Sequence, residues 1–189
     1  MAITYPTTLD AFTNPTATSL LTSPSHAQQH SDINDAMEAV QTKLAIGNTV
    51  IGTYIDYSAS VTISNVTLGN ATIVARYARV NNLVHYWGNL VFGSTTSVTG
   101  SGFNLKLPIN AYASIQNTFL PMGLSKFVDA SAGLVVNGTF VPTGTANLFA
   151  FQVSNSNTTY VGDTSPSSTV PFTWTTSDRI QWNIYYEAA

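Results

Sequence analysis

Cysteine is absent from the 189 residues, so neither disulfides nor thiolate metal sites contribute to this fold. Charge is nearly as scarce: six Lys plus Arg and nine Asp plus Glu amount to 8% of the chain, against about a quarter in an average domain. No Lys or Arg occurs before Lys43, and a net charge of −3 leaves no positive patch to meet phosphates, which argues against nucleic-acid binding. The same gap withholds the basic start of a secretory signal. No apolar run approaches the ~18 residues of a membrane span. The expectation is a soluble chain with no leader, no membrane and no nucleic acid among its partners.

What takes the place of charge is small uncharged polarity: 19 Ser, 27 Thr and 16 Asn, together about a third of the chain. Thr is β-branched, and Ser and Asn compete with the helical backbone for hydrogen bonds, so this composition favours strands and turns over long helices. The 44% of hydrophobic residues and 11% of aromatics suffice for one core.

Three regions follow. Residues 1–22 hold no sustained period, yet Ile3, Tyr5, Leu9, Phe12, Leu20 and Leu21 make them too apolar for a solvated linker. Such a peptide lies against a surface, either its own domain or a partner; we expect the partner. Residues 23–47 read as the one clear helix, with Ser23 as N-cap, Pro24 in the first turn and Gly47 after the last. Within it His26, His30, Ile33, Met37, Val40 and Leu44 recur at steps of four and three, the seam of a coiled coil. A lone rod with so narrow an apolar stripe needs partner helices. The sequence shows no second helix of this kind, so copies of the chain are the expected partners, with packing on its own β-domain as the other possibility.

His26 and His30 form a His-x-x-x-His pair, but Ala27 stands where a zincin has glutamate, and no further ligand is evident. No catalytic metal is assigned. In a symmetric oligomer the two would form polar rings near the axis that set register or hold a water or ion; register or partial exposure is the expectation.

From residue 48 to 189 the period changes to two. Ala71–Val80, Asn81-Asn82 and Leu83–Gly93 read as a hairpin with a I′-type turn. Runs at 103–107, 119–124, 134–141 and 148–153 follow, and the closing strand places Ile180, Trp182, Ile184 and Tyr186 on one face. Seven or eight short antiparallel strands predict a mainly β protein whose C-terminal domain is a jelly-roll-like β-sandwich.

Catalytic motifs are wanting: Gly123-Leu124-Ser125 lacks the closing glycine of a nucleophile elbow, and the carboxylates Asp56, Asp129, Asp163, Asp178 and Glu187 form no indicated pair. Asp163 and Asp178 read as turn residues and His85 as a strand-face histidine. Tyr86, Trp87, Trp174, Trp182, Tyr185 and Tyr186 suit glycan stacking, although core packing is the better reading for most of them. No catalytic residue and no cofactor is assigned.

The stretch from Tyr5 to Gly47 resembles the N-terminal segment of small fibre and appendage proteins of tailed bacteriophages. The resemblance is carried by Leu9, Asp10, Phe12, Asn14 and Pro15, then by Pro24, His26, Gln29, His30, Asp32, Asn34, Asp35 and Ala36. Tyr77, Arg79, Asn81 and Val84 are similar to a hairpin of phage-fibre β-domains in which glycine usually stands at position 81. The resemblance implies a virion-located homotrimer, assembled in the host cytoplasm. Its anchor, with Ile3, Tyr5, Leu9, Phe12, Asn14 and Pro15, would bind a capsid or tail protein, and its β-domain would project outward. A capsid-mounted head fibre or decoration is the expectation, and a tail fibre that recognises a host-surface glycan is the alternative.

Overall fold

The computed structural model describes residues 26–44, 53–113, 121–155 and 162–189. The chain divides into two units, Met1–Thr53 and Tyr54–Ala189. In the first, α1 spans His26–Leu44. The proposed caps Ser23, Pro24 and Gly47, like the whole of the 1–22 segment, lie outside the described residues. No described helix is long and apolar enough to cross a membrane.

The second unit is mainly antiparallel β, a sandwich built on one curled sheet, with a single 3-10 turn at Ser58–Ser60 among the described residues. Its strands are β1 (Ile55–Asp56), β2 (Val66–Thr67), β3 (Thr72–Val80), β4 (Leu83–Val91), β5 (Ser97–Val98), β6 (Asn104–Lys106), β7 (Gly123–Asp129), β8 (Leu134–Pro142), β9 (Leu148–Asn155), β10 (Gly162–Thr164) and β11 (Arg179–Glu187). The main sheet runs β1-β3-β4-β11-β7-β8-β9-β10, with β6 also on β9, and β2 pairs β5 in a separate ribbon. Ring contacts show how the sheet closes on itself. Phe149 of β9 meets Tyr186 of β11 with centroids 5.5 Å apart, although β7 and β8 lie between those strands in the sheet.

The two-residue period dictates which face is buried, because successive side chains point to opposite sides of a strand. Ile180, Trp182, Ile184 and Tyr186 of β11 enter the core, as the alternation predicted, and Val84, Tyr86 and Leu90 of β4 enter it beside them. Phe127, Phe140, Phe149 and Phe151 meet them from the other strands. Trp182 faces Gly88 across the β4–β11 pair, and a Cβ on Gly88 would lie 2.2 Å from the indole ring. Glycine is present there because the ring occupies the side-chain space.

Three readings need correction. The hairpin does turn at Asn81-Asn82, but only Asn81 takes a positive φ, 52°, which is the pattern of a II′ turn and not of I′. The strand expected at 119–124 begins at Gly123 and runs to Asp129. Asp163 sits in β10, paired with Ser154, rather than in a turn. The short strands β1, β2, β5 and β10 were not anticipated, since two or three residues hold no period to read.

Candidate functional site

Two surfaces carry the candidate residues. The first is the seam of α1. Ile33 is 57% exposed and Met37 54% exposed, while Val40 is half-buried. Leu44 ends the helix, and its side chain lies outside the described residues. Off the seam Asp32 is buried, and its Oδ1 accepts the Gln28 side-chain amide at 2.8 Å, while Ala27, Gln28, Ser31, Asn34, Asp35 and Glu38 are exposed. At its N-terminal end His26 and His30, both exposed, bring their Nε2 atoms to 3.1 Å, with ring planes at 85°. The anchor residues Ile3, Tyr5, Leu9, Phe12, Asn14 and Pro15 lie outside the described residues.

The second surface is the outer face of β3, β4, β11 and β7. Register sets one row of Ala78, His85 and Tyr185, and beside it a row of Arg76, Trp87, Asn183 and Leu124. Tyr54, one residue before β1, reaches over Ala78 to bond His85 Nδ1 at 2.5 Å, and Ala78 is buried beneath that bridge. His85 Nε2 bonds Asn183 Oδ1 at 2.7 Å. With the amide oxygen as acceptor, Nε2 carries the proton and Nδ1 accepts from the Tyr54 hydroxyl. Tyr185 stacks flat on the imidazole at 4.2 Å between centroids. Both ring nitrogens are thus engaged, and His85 acts as a strut that holds Tyr54, Tyr185 and Asn183 in place. Tyr185 remains 50% exposed and Leu124 69% exposed. His85 is the strand-face histidine expected from the sequence. Tyr54 and Asn183 were not singled out, because only the register brings residues 98 positions apart into contact.

Of the aromatics weighed as glycan platforms, Tyr86, Trp182 and Tyr186 belong to the core. Trp174 packs against Phe92 and donates its indole N–H to the Ser167 carbonyl at 2.9 Å. Only Trp87 and Tyr185 lie on the outer face. Burial pushes the hydroxyls of Tyr86 and Tyr186 well above the ordinary phenol range.

The carboxylates are tied into local structure. Asp178 is fully buried and accepts from the Thr175 and Ala130 amides, the turn-bonding role expected of it. Asp129 accepts from the Ser131 hydroxyl and from the amides of Ser131 and Ala132, which holds its carboxyl below the usual range. Ser58 lowers Asp56 in the same way, through its hydroxyl and its amide. Among the described residues no group of three or more His, Asp or Glu is gathered about a common point. No family model, curated protein or solved structure matches this chain.

Proposed function

We propose that the chain is a structural protein of a tailed-phage virion: a homotrimeric head fibre or decoration, attached to the capsid through residues 1–22 and projecting its β-sandwich outward. The observation that carries this reading is the open seam of α1. Ile33 and Met37 are large apolar side chains that α1 leaves more than half exposed, and packing against other copies would take that surface out of water. Burying each such side chain in a helical bundle contributes roughly 1.5–3 kcal/mol before entropy is subtracted. Threefold symmetry and the virion come from the resemblance of the segment from Tyr5 to Gly47. The near-absence of charge suits close packing of identical subunits.

A second reading, a tail fibre that binds a host-surface glycan, is favoured by the outer sheet face. There Tyr185 and Trp87 offer ring surface beside the amide of Asn183 and the hydroxyl of Tyr54, the mixture that sugar rings recruit.

Imaging particles labelled with an antibody to residues 54–189 tests both. Label over the head supports the decoration, and label at the tail tip, together with loss of host adsorption in the Tyr185→Ala variant, supports the receptor-binding reading. Particles without label, from a lysate rich in the protein, would refute both.

A further inference from the structure

The two seam histidines do more than sit on the same helical face: their Nε2 atoms converge to 3.1 Å. An ion shared between them would lie about 1.9 Å from each nitrogen at a tetrahedral angle and about 2.2 Å at a right angle, either side of the ~2.0–2.1 Å of a metal–imidazole bond. Both rings are exposed, so no burial forces the contact; an Nε2–H···Nε2 hydrogen bond holds it, and an ion would take the place of the shared proton. Ile33 and Met37 continue the same stripe one and two turns on, so whatever brings copies together along those residues also brings the imidazole pairs together.

We propose that His26 and His30 are a bidentate chelate for a divalent transition-metal ion, completed by the same pair from the other copies of the chain. This rests on the self-association proposed above. One chain supplies two nitrogens and no third ligand group among its described residues, so the site is incomplete in a single chain. Three chains supply six imidazoles, a set that suits Ni, Co, Fe, Cu or Zn and not the oxygen-seeking Mg or Ca. Bridging three helices at their N-terminal ends, the ion fixes the register of the seam.

The test uses the full chain, stripped with EDTA and titrated with CoCl2 by calorimetry, with the mass followed by light scattering. The variants are His26→Ala, His30→Ala and the double substitution. These positions are exposed and alanine is the best helix former, so helicity by circular dichroism should be retained. The expected result is one Co2+ per three chains, bound at least tenfold more weakly by each single variant and unaffected by equimolar Mg2+. A trimer that binds Co2+ no better than the double variant, or at any other stoichiometry, overturns the chelate and leaves the trimer standing. A chain that stays monomeric with and without Co2+ overturns the self-association beneath it.

Discussion

At the scale of single residues, packing around Trp182 is tightly constrained. The indole lies where a Gly88 side chain would project, and Ala75 continues the same row across β3. A Gly88→Val substitution should lower stability by about 1–3 kcal/mol through overpacking, read as a drop in the urea midpoint with an unchanged slope. An unchanged midpoint would mean that Trp182 moves aside freely. The buried tyrosines set a second expectation. Burial raises the folded pKa of Tyr86 and Tyr186 above the ordinary 10.0. Their contribution is therefore fully present below pH 10 and is lost as pH rises through and beyond that value. Alkaline unfolding should begin above about pH 10, and the 295 nm absorbance of these phenolates should appear together with the loss of strand signal. Phenolate absorbance that is complete while the fold persists would contradict this.

At the scale of elements, the contrast lies between α1 and the sheet. An inner strand such as β4 or β11 has neighbours on both edges and one face in the core. The helix leaves Ile33 and Met37 exposed, and a helix in a protein draws most of its stability from packing of its apolar face. Met37→Asp should therefore dissociate the protein to a monomer and cost α1 its helical signal, while the β-domain melts at the same temperature as before. Light scattering and circular dichroism read the two effects separately; a variant that stays trimeric would show that the seam is not the interface. The outer face of β4 and β11 differs again. There the Tyr54–His85–Asn183 bridge orders exposed side chains without burying them.

At the scale of the whole molecule, the proposed parts are separable. Residues 1–22 contain apolar side chains at Ile3, Tyr5, Leu9 and Phe12 but no period with which to build a core of their own. An extended peptide that orders on its target draws stability from that target and contributes little to the free protein. Deleting residues 1–22 should leave a folded trimer that no longer sediments with particles lacking the native copy, and Phe12→Asp should weaken attachment with little change in melting temperature. Equal occupancy by truncated and full-length protein would move the attachment point to the helix or the β-domain.

Much of this protein is written in local chemistry. The shortage of charge and the wealth of Thr, Ser and Asn announce a β-rich chain. The alternation in Leu83–Val91 and Arg179–Glu187 names the residues that reach the core, because a pleat leaves no other choice of face. The step pattern from His26 to Leu44 marks one stripe of α1 for the same kind of reason, and the proposed seam rests on that stripe. What the tertiary structure alone decided is everything that depends on register between distant segments. It decided the two- and three-residue strands, the closure of Phe149 onto Tyr186, and the placement of Tyr54 and Asn183 on either side of His85. It also brought His26 and His30 from merely sharing a face to a separation that one ion can span. Spacing along a chain says which side a residue occupies, whereas the distance between two side chains is set by rotamers and neighbours that exist only once the chain has folded.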